Sequence, residues 1–580
     1  MSAQPDNVTP RIVRRPPAPT DRLPASLNPV LRQVYANRAV QDEAELERGL
    51  QGLLPPETLG GLDEAVDLLA EALKARQRIL IVGDFDADGA TSCTVAMLAL
   101  RAMGVAHVDY LVPNRFEFGY GLTPEIVALA LTRQPDLIVT VDNGVSSIAG
   151  VAAANAAGVP VIVTDHHLPG AELPAAAAMV NPNLPDNGFA SKAAAGVGVI
   201  FYVMLGLRGR LREQGWFTDN DIAEPNLAEL LDVVALGTVA DVVPLDANNR
   251  ILVHQGLQRI RAGRCRPGIT ALLQVAGRNP ARAQASDMGF AVGPRLNAAG
   301  RLDDMSLGIE CLLTNDPDAA LQMAGELDAL NRERRRIEGD MQDQAMAILA
   351  DWSLDDADLP WGLCLFDASW HQGVIGILAS RIKERYHRPV IAFAPADNGE
   401  IKGSARSIPG LHIRDALDEV AARHPDLLSK FGGHAMAAGL SLAADRFVDF
   451  QAAFDAVVRE HLDLAALQAV IASDGEIPGP ELTLALASQL AAGGPWGQAF
   501  PEPLFDGVFE LVGQRIVGDK HYKLVLRSPD NGAIIDAIAF NQVELHPELP
   551  PRLRLAYRLD ANEFRGNVTL QLRVEHLEPA

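Results

Sequence analysis

The run Asp84-Phe85-Asp86-Ala87-Asp88-Gly89 sets three carboxylates at alternate positions directly behind an apolar stretch, Arg78–Gly83 (RILIVG). Two more apolar stretches end in the same kind of residue. Leu137–Val141 runs into Asp142-Asn143-Gly144, and Val161–Thr164 runs into Asp165-His166-His167. Further on, Leu231–Ala240 delivers Asp241, followed by Val242-Val243-Pro244. Carboxylates gathered in one low-dielectric crevice repel one another strongly. One or two divalent cations relieve that cost, and oxygen donors with one or two imidazoles suit Mn²⁺ first and Mg²⁺ next. Two such ions about 3.5–4 Å apart clamp the attacking and leaving oxygens of an in-line phosphoryl displacement.

Simpler readings compete with this one. An Asp-x-Asp-x-Asp-Gly run often forms a Ca²⁺ loop of the EF-hand type, but that loop needs a Glu at its twelfth position, where Val95 stands. A lone His-His pair is usually a helix cap or a polar contact in a core. What tips the balance is repetition, because consecutive apolar runs each end in ligand-type residues.

Such residues meet only if the elements behind them lie side by side. The runs 78–83, 108–112, 137–141 and 161–164 are mostly apolar, and segments such as 123–131 and 146–157 have helical length and composition. Strands apolar on both faces and alternating with helices indicate an α/β domain with a doubly wound parallel sheet. Ligands of such sheets bind at the carboxyl ends of the strands. Placing Asp241 in the same crevice treats the run before it as one more strand.

The remaining chain divides by pattern. Residues 1–42 read as an N-terminal arm, mobile to about residue 24, and 43–315 as the catalytic α/β domain. Residues 316–355 hold a connecting helix with Asp316 as N-cap and Pro317 at its first position. A charged helix of about 50 Å is too long for a small core, so it reads as a strut between two lobes. Residues 356–462 form a smaller α/β domain with strands near 362–366 and 390–393 and a helix over Phe447–His461. Residues 463–580 alternate as five short half-buried strands, with a turn at Asn531-Gly532, and suggest a small barrel of the OB type.

Lys and Arg number 50 against 74 Asp and Glu, a formal net charge of −24 that as a bulk quantity argues against a nucleic-acid partner. The charge is uneven. Nine arginines and one acid, Asp287, fall between Arg250 and Arg301, which suggests an electrostatic track for a phosphate backbone. The barrel adds Lys520, Tyr522, Lys523, Arg554, Tyr557, Arg558 and Arg565. The four cysteines (Cys93, Cys265, Cys311, Cys364) lack CxxC spacing and suit a reducing cytoplasm, and neither a membrane span nor a signal-peptide core is evident.

These motifs resemble those of the DHH phosphoesterase superfamily, named for the triplet that stands here as Asp165-His166-His167. Within it the chain is most similar to the bacterial RecJ exonuclease family. The resemblance runs through VGDFDADGATS (82–92), TVDNG (140–144), TDHH (164–167), GTVADVVPL (237–245) and VGPRLNAAGR (292–301). SWHQGVIGI (369–377), KGSARS (402–407) and FGGHAMAAG (431–439) resemble the DHHA1 domain. By resemblance, one metal uses Asp86 and Asp142, with Asp84 as a further ligand. The other uses Asp88, Asp142, His166 and Asp241. Asp142 and Asp88 then serve catalysis together with His167, which orients a ligand or protonates the leaving oxygen.

The resemblance also implies a single-stranded DNA substrate degraded from its 5′ end to mononucleotides, in DNA repair and recombination. A phosphate-binding lobe would read that end through Ser404, Arg406, Gly432, Gly433, His434 and His371, with Arg115 adding to the pocket. Tyr120 is a candidate for base stacking, and Arg295 and Arg301 belong to the Arg-rich track. Implied partners beyond DNA are a single-strand-binding protein and a RecQ-type helicase, for a cytoplasmic monomer away from membranes. Two other readings stand beside this one. A phosphodiesterase for short oligonucleotides or cyclic dinucleotides needs neither barrel nor basic track. A non-catalytic replication scaffold would not keep Asp86, Asp88, Asp142, His166 and Asp241 intact.

Overall fold

The computed structural model describes residues 10–114, 121–351, 359–396, 399–564 and 566–580. The chain forms two units, one of residues 15–331 with 474–580 and the other of residues 10–14 with 332–473. Arg11–Arg14 is a strand (β1), paired in parallel with Val470–Ser473, and Ile12 is buried. Helix Pro29–Ala36 follows, its first turn capped by Asn28, whose Oδ1 accepts from Val30 N–H at 2.8 Å. The expectation of a mobile arm is corrected for Arg11–Arg14, whose strand partner, Val470–Ser473, lies far along the chain.

In the larger unit β2 (Arg78–Gly83), β3 (His107–Leu111), β4 (Leu137–Val141), β5 (Val161–Thr164) and β6 (Ala178–Val180) make a parallel sheet in the order β3-β2-β4-β5-β6. Every residue of β4 and β5 is buried, as expected of strands covered on both faces. From β2 the chain steps first to one side and then to the other, so a crevice opens beyond the carboxyl ends of β2 and β4. Helices Ala87–Ala102 and Gly196–Glu213 pack on each other and are buried over most of their surface.

One element differs from its sequence reading. Leu231–Ala240 is a helix, not a strand, and Asp241 is its C-cap residue. A run apolar at nearly every position carries little period, so burial on all sides suits either element. The carboxylate reaches the crevice from a helix end.

The smaller unit is a mixed sheet of β7 (Leu363–Phe366), β8 (Val390–Pro395), β9 (Glu400–Arg406), β10 (Lys430–Gly433) and β11 (Ala437–Ala443), in the order β10-β11-β9-β8-β7. β7 and β8 are parallel and the other pairs antiparallel. The partner of β1 is β12 (Val470–Ser473). The 35-residue helix Pro317–Asp351 contains the boundary between the units, and Asp316 Oδ1 accepts from Asp318 N–H at its start.

The last five strands are β13 (Phe505–Val517), β14 (His521–Arg527), β15 (Ile534–Ala539), β16 (Arg552–Phe564) and β17 (Asn567–Pro579). They close into a barrel in the order β13-β14-β15-β17-β16. The single parallel pair, β15 with β17, and the β13–β16 closure give the OB arrangement. Barrel residues such as Phe505 and Tyr557 share one hydrophobic cluster with the parallel-sheet region, which is why 474–580 belong to the larger unit. All four cysteines are free, and no helix among the described residues is long and apolar enough to cross a membrane.

Candidate metal centre

Beyond β2 the chain turns through Asp84 into helix Ala87–Ala102, with Asp86 as its N-cap. Asp86 Oδ1 accepts from the N–H groups of Asp88 (2.9 Å) and Gly89 (3.0 Å). Gly89 is required because a Cβ there would sit 2.3 Å from the Asp84 carbonyl oxygen. Asp88, in the first turn, points its carboxylate at the start of another helix. Gly196 N–H donates to its Oδ2 at 2.6 Å and Val197 N–H to its Oδ1 at 2.9 Å. A helix N-terminus favours negative charge and fixes that carboxylate.

Asp142 leaves β4 with φ of +61°, a left-handed conformation that Asp and Asn tolerate better than most residues. The neighbouring Asn143 side-chain amide donates to the carbonyls of Val82 (3.1 Å) and Val141 (2.9 Å), tying the ends of β2 and β4 together. After β5, Asp165 Oδ1 accepts from both His166 N–H (2.7 Å) and His167 N–H (3.1 Å) and lies 2.8 Å from His167 Nδ1. Asn183 and Asn181 donate to the carbonyls of His166 (2.6 Å) and His167 (2.8 Å). The His-His turn is therefore held by its backbone from both sides.

These supports bring the donors together. His166 Nε2 lies 3.2 Å from Asp142 Oδ1, 3.5 Å from Asp241 Oδ2 and 3.9 Å from Asp88 Oδ2. Ligand atoms of Asp84, Asp86 and Asp142 fall within 4.8 Å of one another, as do those of Asp88, His166 and Asp241. A third such group is Asp142, His166 and His167.

Burial, then the charges of Asp241 and Asp86, push the Asp88 carboxyl well above its ordinary range. Burial, then Asp88, Asp86, Asp241 and Asp84, do the same to Asp142. Burial and the Asp86 charge raise Asp241 to about 7 against an opposing pull from His167. For His167, burial disfavours the cation, but the hydrogen bond and charge of Asp165, with Asp241 and Asp84, raise it to about 9. Asp241 Oδ2 is buried and, among the described residues, accepts no hydrogen bond. Crowded carboxylates, an oxygen with no donor and an imidazole fit Mn²⁺ or Mg²⁺ as a resident group.

The smaller unit gathers the proposed phosphate residues. Arg406 Nη1 lies 3.1 Å from Ser404 Oγ on β9. A Cβ on Gly376 would lie 2.9 Å from both Ser404 Oγ and Arg406 Nη2, so the start of helix Ile375–Tyr386 abuts the pair. Strand pairing sets Ala437 beside Arg406 and Ala438 beside Gly433. Gly433 has φ of +148°, with its would-be Cβ 2.5 Å from the Ala437 carbonyl oxygen, and His434 N–H donates to that carbonyl at 2.8 Å. His371 lies in the turn before the helix, its Nδ1 accepting from Gly373 N–H at 3.1 Å. Arg115 and Tyr120 lie outside the described residues.

The Arg-rich window is not an open track. Arg250 is buried over the Phe500 ring and donates to the carbonyls of Leu245 and Glu45. Arg266 donates to the carbonyls of Leu312, Leu313 and Thr314, Arg261 to that of Ala283, and Arg259 to that of Arg264. Arg278 and Arg282 pair with Asp287 and Glu563. Arg295, 7% exposed, is tied to Asp328 and the Ala291 carbonyl, and Arg301 is half-buried. Tyr522 and Tyr557 are buried in the barrel, which removes them as stacking platforms, and Arg565 lies outside the described residues. These guanidiniums hold helix ends and acids, roles that composition cannot reveal.

What the larger unit does offer near Asp241 is a cavity of about 390 Å³ between the sheet region and the barrel. Val239 and Val242, either side of Asp241, line it with Phe290, Trp496, Arg261 and Arg558. Phe290 is 80% exposed and Val242 61% exposed. Sequence reasoning misses Gly196, Val197, Asn143, Asn181, Asn183 and Asn297 as supports of the centre. Their partners are backbone groups or residues distant along the chain, and no local spacing marks them.

Comparison with known proteins adds three family matches: the DHH family N-terminal domain over residues 78–238, the DHHA1 domain over 361–460 and the RecJ OB domain over 473–576. A Dickeya dadantii protein named single-stranded-DNA-specific exonuclease RecJ is 59% identical over 575 residues, covering 99% of this chain and 100% of the relative. Its namesake in Escherichia coli is 56% identical over 568 residues, 98% of each chain. The crystal structure of RecJ in complex with Mn²⁺ from Thermus thermophilus superposes with a TM-score of 0.81 at 32% identity, over 99% of this chain and 80% of that one.

Proposed function

This chain belongs to the RecJ family of DHH proteins, and from that premise we propose that it hydrolyses single-stranded DNA from the 5′ end to mononucleotides, using Mn²⁺ or Mg²⁺. The observation that carries this reading is the meeting of the Asp88, Asp142 and Asp241 carboxylates within 3.9 Å of His166 Nε2. Asp84 and Asp86 form a second donor group with Asp142, so Asp142 would contribute to both sets of residues able to hold an ion. When bound, the ions cancel the carboxylate charge, acidify a water and polarise the scissile phosphate.

The remaining work falls to the protein. Asp165 fixes His167 through Nδ1, which leaves Nε2 as the nitrogen that hands a proton to the departing 3′ oxygen. The hydrogen bond and negative charge of Asp165 favour the protonated imidazole. Asp88, capped by the Gly196 helix, and Asp142, held above β4, keep their oxygens in one orientation throughout.

Ser404, Arg406, His371, the Gly432-Gly433-His434 turn and the start of helix Ile375–Tyr386 suit a terminal phosphate: backbone N–H groups, a helix dipole and one guanidinium. Such a pocket supports reading of a 5′ end. The OB barrel and the cavity beside Asp241 support a single strand as the polymer, since exposed Phe290 can meet an unpaired base. We further propose a cytoplasmic monomer working in DNA repair and recombination, with a single-strand-binding protein and a RecQ-type helicase as partners.

The test is hydrolysis of a single strand labelled at either end, in Mn²⁺, by wild type and Asp142→Ala. Release of mononucleotides from the 5′ end, lost in the variant, is the expected result. Cleavage confined to dinucleotides would instead make it a short-oligonucleotide phosphodiesterase, and no cleavage at all would make it a scaffold.

A further inference from the structure

The first turn of helix Ala87–Ala102 must satisfy N–H groups that have no partner within the helix. The acidic loop supplies most of them itself: Asp86 Oδ1 takes those of Asp88 and Gly89, and the Asp86 carbonyl takes that of Ala90. The N–H of Ala87, the residue between Asp86 and Asp88, bonds outside the loop. It donates to Asn297 Oδ1 at 2.7 Å across a sequence separation of 210 residues.

Asn297 lies on helix Gly293–Leu302, one turn before Gly300. A Cβ on Gly300 would stand 1.8 Å from the Phe85 carbonyl oxygen, so this face of the helix rests directly on the acidic loop. The helix continues from a π-helical turn, Met288–Val292, that touches another ligand-bearing element. Would-be Cβ atoms on Gly289 and Gly293 lie 3.3 Å from Val239 Cγ1 and 3.0 Å from Ala240 Cβ, next to Asp241. One helical segment therefore contacts both the Asp84–Asp88 loop and the helix end that presents Asp241.

We propose that Asn297 is a positioning residue for metal binding, which sets the register of Asp86 and Asp88 against Asp241 through the Ala87 peptide. A neutral amide suits this role, because it accepts the N–H without adding another negative charge to a crevice that already holds five carboxylates. Its loss leaves the Ala87 N–H without an acceptor and lets the loop drift from Asp241.

The inference rests on the metal reading of the crevice, and the test separates the two. Mn²⁺ binding is measured directly, by the EPR signal of free Mn²⁺ and by titration calorimetry, together with the melting temperature in EDTA. Asn297→Leu keeps the side chain's size without its acceptor. The expected result is a 10–100-fold weaker Mn²⁺ affinity in a variant that still folds and melts cooperatively in EDTA, slightly below wild type. Asn297→Asp, which restores the acceptor, binds at least as tightly as wild type. Wild-type affinity in Asn297→Leu would overturn the proposal. So would failure of that variant to fold, which is what a purely structural role predicts, or an Asn297→Asp as weak as the Leu variant. Wild-type protein that bound no Mn²⁺ would overturn the metal reading itself, and this inference with it.

Discussion

Gly196 lies so close to Asp142 that a Cβ added to it would stand 2.7 Å from Asp142 Oδ1 and 2.6 Å from its Cβ. The same glycine gives its N–H to Asp88. One small residue thus allows one ligand to approach and holds another. Gly196→Ala is expected to weaken Mn²⁺ binding and lower exonuclease turnover, each by 10–100-fold. Titration calorimetry and a single-strand degradation assay read the two effects, and activity within twofold of wild type would refute the reading.

The ligand cluster works against the metal-free fold. Burial and mutual charge hold Asp88 and Asp142 well above their ordinary acidity range, so ionising them in the folded protein is unfavourable. Asp142→Asn is therefore expected to raise the melting temperature in EDTA while abolishing hydrolysis. In wild type, Mn²⁺ at 100 times its Kd adds about 2.7 kcal/mol of stability. That increment should vanish in the variant, as differential scanning calorimetry with and without Mn²⁺ can establish.

Arg38 and Asp474 form a buried ion pair, 2% and 1% exposed at their side chains, with Arg38 Nη2 2.9 Å from Asp474 Oδ2. Asp474 also accepts from Asn37 Nδ2 (3.2 Å) and Leu504 N–H (3.2 Å). It thereby joins the N-terminal helix to the approach to the barrel. Removing one partner of such a pair leaves a buried charge and costs about 3–5 kcal/mol. Asp474→Ala should move the urea midpoint down accordingly, whereas loss of the exposed Arg336–Glu333 pair should leave it nearly unchanged.

Acid stability offers a separate check at His254. Burial, then the positive charges of Arg48 and Arg261, depress its value from 6.5 to about 4. The unfolded chain takes up this proton first as pH falls, so the contribution to stability is complete above about 6.5 and is lost progressively down to about 4. Urea midpoints measured across that interval should fall less steeply for His254→Gln than for wild type. Parallel curves would show that His254 does not contribute.

Much of the centre was legible because its strands are mostly apolar and the residues directly after them are not. Asp84, Asp86, Asp88, Asp142 and His166 stand directly behind β2, β4 and β5, where an α/β sheet must present its ligands. The closed barrel was legible from alternation alone. Asp241 was located but its element was not, since Leu231–Ala240 is apolar at nearly every position and helix and strand then look alike. The arginines of 250–301 misled for another reason. Their partners are carbonyls such as Leu312 and Ala283 and acids such as Asp328 and Glu563, none of which local charge counting weighs. β1 was invisible likewise, because four residues become a strand only when β12 lies alongside them.

The larger unit is discontinuous in the chain, and this governs the order of its assembly. Roughly 140 residues of the other unit are synthesised between Asn331 and Asp474. At ordinary elongation rates that takes on the order of 10–30 s. Every metal ligand has by then left the ribosome, yet the surfaces around Tyr35 and Leu245 that meet Trp496, Phe500 and Gln498 still face water. The nascent chain thus carries its acidic crevice well before it carries its barrel, and the last hundred residues close the fold.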